Sequence, residues 1–338
     1  MRAYRLADFD SLDSLRLHQE PDPRPQRGEV LVRVRAVSLN FRDIAILRGR
    51  YPRRSVPGLV PVSDAAGEVV AVGEDVHAFK VGDRVLGAFH PRWFGGHVPS
   101  TILRDSYGAE NDGWLCELKA VSQEAVVPLP DALSFEEGAT LPCAGVTAWN
   151  ALSGATPVRA GHTVLVQGSG GVSIFALQLA CAVGARVIAT TSSEAKARTL
   201  RALGAAEVVN YADDPDWGRT VRALTGGRGV DRVVEVGGPG TLGQSLRAVA
   251  VGGEIASIGF LSTDNPGIDF FQFKASGAIL RNIAVGDRTL LEDLVRAVVA
   301  TGLKPVIHRV FEFDAAKAAF AHLESATHVG KVVIRLPG

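Results

Sequence analysis

The spacing of apolar and polar positions changes character along the chain. In the first third, Glu29-Val30-Leu31-Val32-Arg33-Val34-Arg35-Ala36-Val37 interleaves apolar and charged residues, the period of a half-buried strand. Pro21, Pro23 and Pro25 ahead of it exclude a helix there. Residues 67–72 and 82–86 are further short apolar runs, so residues 1–125 read as β-rich. Residues 90–114 are polar, hold Gly and Pro and show no period, which predicts a long excursion loop.

From about residue 130 strands and helices alternate. Ser134 and Glu137 have the spacing of a capping box. An apolar strand (163–167), a glycine turn and a helix (172–183) follow, then a strand (186–190) and a helix (193–203). Residues 231–236 and 254–259 read as later strands of the same sheet, residues 290–300 as a helix, and 331–336 as a closing strand. This alternation predicts an α/β fold with a parallel, doubly wound sheet.

Composition narrows the function. The 338 residues suit two domains, and 36 basic against 36 acidic residues leave no charge excess for nucleic acid. The apolar run 170–185 is short of the ~20 residues that span a membrane. Three cysteines without a CxxC pair exclude a disulfide scaffold and point to a reducing compartment. The opening Met1-Arg2-Ala3-Tyr4-Arg5-Leu6-Ala7-Asp8 reaches an acid before any apolar run of signal length, so a cytoplasmic protein is expected.

Candidate chemistry begins at Gln167-Gly168-Ser169-Gly170-Gly171-Val172-Ser173, a glycine-rich turn between strand and helix. Such a turn lets backbone approach a dinucleotide pyrophosphate, and the helix N-terminus supplies amides and positive potential. Ser173 replaces the third glycine of the fingerprint with another small residue.

With Ser38-Leu39-Asn40-Phe41-Arg42-Asp43, residues 63–69 (SDAAGEV), residues 141–149 (LPCAGVTAW) and Gly330-Lys331-Val332-Val333 in the same order, the chain resembles the medium-chain dehydrogenase/reductase superfamily over nearly its whole length. More narrowly, it resembles the zinc-independent, quinone-oxidoreductase-like branch. The resemblance implies a GroES-like substrate domain from residues 1–127 and 268–338, with a Rossmann dinucleotide-binding domain, 128–267, inserted between. It implies cofactor contacts at Asn40, Thr147, Gly168, Ser169, Gly170, Gly171, Val172, Gly237, Gly259 and Lys331.

Against the zinc-dependent members, Asn40 stands at the first Cys ligand, Ser63 at the His, Asp64 at the neighbouring Glu, and only Cys143 remains. That set is poor for a metal preferring nitrogen and sulfur, so no metal is expected. Asp43 then reads as a cap or a buried hydrogen-bond partner. Without a Lewis acid the expected acceptors are already electron-poor, such as quinones or α,β-unsaturated carbonyls. Asn40, Tyr51 and Ser63 are the candidate catalytic donors, Asn40 and Tyr51 by resemblance to the branch. Tyr51 also reads as a surface loop aromatic, and Trp93 and Phe94 either line the pocket or pack on their own loop. A zinc-free aldehyde/ketone reductase, an enoyl-thioester reductase and a nucleotide-binding protein with little turnover stay open as alternatives.

NADPH is expected over NADH. No carboxylate ends the second strand at Thr191-Ser192-Ser193, where an NAD-selective fold places one. Ser192, Lys196 and, by resemblance, Tyr211 would meet a 2′-phosphate, while Thr191 and Glu194 have the spacing of a capping box. The partners expected are a small-molecule substrate and a second copy of the chain, the homodimer formed by pairing along residues 278–284.

Overall fold

The computed structural model describes residues 1–52, 55–154, 156–262 and 264–337. It divides into two compact units, Met1–Val146 with Gly286–Gly338, and Thr147–Val285. The first unit opens with strands β1 (Arg2–Leu6), β2 (Leu15–Gln19), β3 (Glu29–Leu39), β4 (Asp64–Val72), β5 (Arg84–Gly87), β6 (Leu118–Ser122) and β7 (Val126–Pro128). The second holds β8 (Thr163–Gln167), β9 (Arg186–Thr191), β10 (Glu207–Asn210), β11 (Val230–Glu235), β12 (Val249–Ser257) and β13 (Ile279–Asn282). The chain then returns to the first unit with β14 (Ile307–Glu312) and β15 (Lys331–Arg335).

The first unit is built on β3. Its inward residues Val30, Val32, Val34 and Ala36 are buried, and from Ala36 to Leu39 every residue is buried. β4 lies antiparallel along one side. On the other side β6 pairs residues 29–33 and β15 pairs residues 36–39, both antiparallel. The far end of β3 is therefore flanked by two strands at once. Trp114, Phe313 and Phe320 fill the core beneath the sheet.

The unit boundaries differ from those expected at 127/128 and 267/268. The helix Phe135–Ala139 packs on β3 and β4, and the helix Arg288–Thr301 packs on β7 and the wide turn Leu141–Gly145, which keeps residues 128–146 with the first unit. β13 pairs parallel with β12, which keeps residues 268–285 with the second.

In the second unit six parallel strands run in the order β10-β9-β8-β11-β12-β13. β8, Thr-Val-Leu-Val-Gln, is buried at every position, as a central parallel strand must be. Helices Gly171–Ala182, Glu194–Ala202, Trp217–Ala223 and Pro239–Ala248 alternate with these strands. The order reverses between β8 and β11, the place where such sheets bind ligands beyond their strand ends. β12 starts at Val249, ahead of the expected 254, because its first residue pairs with Val230 across an irregularity in the ladder.

The expected capping box of Thr191 and Glu194 is not formed. Thr191 is held in the ladder by pairing with Asn210, so the strand runs one residue further. Ser193 is the cap instead, its Oγ accepting from the Lys196 N–H at 3.4 Å.

Candidate active site

The sheet registers of the first unit bring three chemically active side chains to one end of β3. Ser38 pairs with Asp64 across β4, and Leu39 pairs with Val332 across β15, next to Lys331. Asn40 follows immediately, as the residue before the helix Phe41–Leu47. Its Nδ2 donates to Asp64 Oδ2 at 2.9 Å, and its Oδ1 accepts from Lys331 Nζ at 2.5 Å. Ser63 Oγ donates to Asp64 Oδ1 at 2.8 Å, and the Cys143 N–H lies 3.3 Å from Asp64 Oδ2. Asp64 is fully buried; burial pushes its pKa up, against the pull of Lys331 and the bonds from Asn40 and Ser63. Lys331, also buried, is pushed down by the same desolvation and held up by Asp64.

Strain marks the entry to this cluster. Val62, fully buried, has φ of +76°, a left-handed conformation that a β-branched residue rarely adopts. Its carbonyl accepts from the Trp114 N–H at 2.8 Å. A Cβ at Gly113 would meet the Pro61 and Val62 carbonyl oxygens at 2.3 Å, so Gly113 is required for that close approach.

Of the expected donors, Ser63 is buried and spends its hydroxyl proton on Asp64. Tyr51 is half-buried, with the Arg42 guanidinium over its ring at 5.3 Å. Arg42 is itself buried, stacked on Phe89 at 4.7 Å, and donates to Tyr107 O at 2.8 Å and Ser106 Oγ at 2.9 Å. Arg42 thus ties the Tyr51 turn to the excursion 90–114. Asp43 Oδ2 accepts from the Asn40 N–H at 2.7 Å, the capping role expected of it. Within the excursion Trp93 is buried against His90, ring centroids 5.6 Å apart, while Phe94 is exposed.

A zinc ion does not suit these residues. Asn40 Oδ1 already accepts from an ammonium, Ser63 is turned to Asp64, and burial drives the Cys143 thiol far from ionisation. Among the described residues, no group of three or more His, Cys, Asp and Glu could hold a metal.

In the second unit the expected nucleotide residues follow the C-terminal ends of adjacent strands: Gly168, Ser169, Gly170, Gly171 and Val172 after β8, Ser192 and Lys196 after β9, Tyr211 after β10, Gly237 after β11 and Gly259 after β12. Thr147 is buried in the helix Val146–Ser153. A nicotinamide dinucleotide fits this edge. Gly168 turns with φ of +72°, and a Cβ at Gly168 or Gly170 would meet nothing within 4 Å, so the space above the turn is open. Gly170 begins the helix without a side-chain cap. Ser173, at the third glycine position, is buried and donates from Oγ to the Gln167 carbonyl at 2.6 Å.

Two residues absent from the sequence expectations organise this edge. Glu235 accepts at one oxygen from the N–H of Gly237 (2.9 Å), the N–H of Gly238 (3.0 Å) and Thr241 Oγ1 (2.5 Å), and at the other from Gln167 Nε2 (2.7 Å) and Ser245 Oγ. Gln167 Oε1 accepts in turn from the N–H groups of Val236 and Gly237. The available signal was a polar residue closing each of two apolar strands at the ligand-binding end.

Comparison with known proteins agrees with both units. The alcohol dehydrogenase GroES-like domain matches residues 26–131, and the zinc-binding dehydrogenase domain matches residues 171–300. A zinc-type alcohol dehydrogenase-like protein of Schizosaccharomyces pombe is 39% identical, over 98% of this chain and 97% of its own. The chain belongs to the medium-chain dehydrogenase/reductase superfamily, quinone-oxidoreductase-like branch. A quinone oxidoreductase of Pseudomonas aeruginosa is 36% identical over 77% of this chain and 72% of its own. An acryloyl-coenzyme A reductase of Metallosphaera sedula is 31% identical over 93% and 94%. A mycobacterial protein solved with NADPH superposes with a TM-score of 0.84, at 30% identity, over 99% of this chain and all of that one. The chain is an oxidoreductase of this superfamily that binds NAD(P).

Proposed function

We propose that this oxidoreductase uses NADPH, without zinc, to reduce electron-poor acceptors: quinones or α,β-unsaturated carbonyls. The observation that carries the reading is the Asn40–Asp64–Lys331 cluster, a hydrogen-bonded group around Asn40, which by the resemblance stands at the position of a zinc ligand. Such a cluster offers hydrogen bonds rather than Lewis acidity, which is enough for an acceptor already polarised toward an enolate or hydroquinone oxyanion.

When bound, the nicotinamide supplies the hydride. The chain's own residues do the rest. Asn40 donates to the developing oxyanion through the N–H not taken by Asp64, exchanging its long 3.4 Å bond to the Ser38 carbonyl for the substrate oxygen. Tyr51, held against Arg42, supplies the proton that completes the reduction. Ser192, Lys196 and Tyr211 take the 2′-phosphate. The protein works in the cytoplasm as a homodimer paired through β13.

Steady-state NADPH oxidation against a panel of quinones, enones and enoyl thioesters tests the reading. Turnover with quinones or enones, unaffected by chelator and with less than one zinc per chain, supports it. Tight NADPH binding with no turnover of any acceptor would sink it in favour of a non-catalytic nucleotide binder. The acryloyl-coenzyme A reductase relative favours one second reading, an enoyl-thioester reductase, which a preference for the thioesters on the same panel would select.

A further inference from the structure

A buried lysine ammonium is costly, and Lys331 is 3% exposed at its side chain. As a nucleotide contact it would have to present its charge outward. Instead its Nζ donates to the Leu39 carbonyl at 2.6 Å and to Asn40 Oδ1 at 2.5 Å, and lies 4.0 Å from Asp64 Oδ2. Two of its three donors are spent within its own unit, and its charge faces Asp64.

The partners on either side of Asn40 each have a single hydrogen-bonding role. An ammonium only donates and a carboxylate only accepts, while an amide has one end of each kind. Only one of the two amide orientations therefore satisfies both neighbours. Turned over, Asn40 would set its NH2 against Lys331 and its oxygen against Asp64. Because Nδ2 gives one proton to Asp64 at 2.9 Å, the direction of its second N–H, which makes a long 3.4 Å bond to the Ser38 carbonyl, is dictated as well. The β3–β15 and β3–β4 registers hold both neighbours in place.

We propose that Lys331 is a positioning residue for Asn40 and not a contact of the nucleotide. It acts with Asp64 to lock the amide in the one orientation whose second N–H, held only by a long 3.4 Å bond to the Ser38 carbonyl, a substrate oxygen can take over. This rests on the reading of Asn40 as the oxyanion donor.

Lys331→Met keeps the length and apolar stem of the side chain and removes its charge and its donors. NADPH affinity, read by nicotinamide fluorescence, should stay within about twofold, while kcat at saturating NADPH falls about tenfold to a hundredfold, the cost of a misdirected group. Lys331→Arg, which keeps a donor, should recover part of the loss. In the protein without cofactor, the falls in Tm for Lys331→Met and Asn40→Ala should be non-additive, the double variant losing clearly less than the sum. Should Lys331→Met fail to fold, Asp64→Asn keeps the shape but presents a donor beside the acceptor, and should give the same kinetic signature. A tenfold rise in the Kd for NADPH with unchanged kcat would make Lys331 a nucleotide contact and overturn the proposal. So would additive falls in Tm. The unfolding measurements need no turnover, so they judge the Lys331–Asn40 coupling even if the acceptor panel finds no substrate.

Discussion

Asp43 carries one carboxylate oxygen bonded to the Asn40 N–H and a second that is buried with no partner. Burial pushes its pKa from 3.8 up to about 6, against the pull of Arg42. The folded state therefore holds this proton more tightly than the unfolded chain, and the group's stabilising contribution is complete below pH 4 and lost as pH rises through 6. A rise of that size corresponds to about 3 kcal/mol across that window. Denaturant unfolding of wild type and Asp43→Asn between pH 4 and pH 7 should show the wild type losing stability relative to the variant as pH rises; parallel curves would refute the assignment. At the cofactor end, Lys196→Glu places an acid where a 2′-phosphate is expected. The KM for NADPH should rise about tenfold or more, the loss of one partly exposed charge-assisted bond, while the KM for NADH barely changes. Equal use of both cofactors by the wild type, with no effect of the substitution, would remove Lys196 from the site.

Among the elements, the β8 turn separates demands of the fold from demands of a ligand. Gly259, beyond β12, is a fold glycine: a Cβ there would strike the Val236 carbonyl oxygen at 2.1 Å. Gly170 has φ of −74° and open space above it, so the fold itself tolerates a side chain. Gly170→Ala should leave Tm nearly unchanged while raising the Kd for NADPH roughly tenfold, because the added methyl occupies the approach of the pyrophosphate to the turn. Unchanged NADPH binding would place the dinucleotide elsewhere. The Glu235–Gln167 pair has the opposite character. It is buried and satisfied by donors from β8 and from the turn after β11, so it stiffens the loop carrying Gly237 rather than contacting solvent.

For the whole molecule, the unpaired side of β13 bears on assembly. β13 closes the six-stranded sheet at one edge, and Ile279 and Leu280 there are 50% and 40% exposed. An apolar edge left bare invites pairing with another chain, and pairing with its own copy about a two-fold axis closes it. Sedimentation at micromolar concentration should give a dimer, and Leu280→Lys should shift it toward monomer. A wild-type monomer would contradict the homodimer.

Much of this was legible along the chain. Strand β8 was readable to its last residue and the neighbouring strands and helices to within a few, because their periods and punctuating glycines are local properties. The glycine turn after β8 was legible for the same reason, glycine being the residue a tight strand-to-helix turn favours. Caps and boundaries were less so: Ser193 displaced Thr191 because pairing with β10 extends β9, a fact that resides in another strand. What only the tertiary structure decided is which groups Lys331 meets. It lies 291 residues from Asn40 in the chain, and the registers of β15 and β4 on β3 set it against Asn40 and Asp64. Local sequence sets period, turn chemistry and residue type; which buried charges meet is set by strand register, and register is a property of the folded sheet.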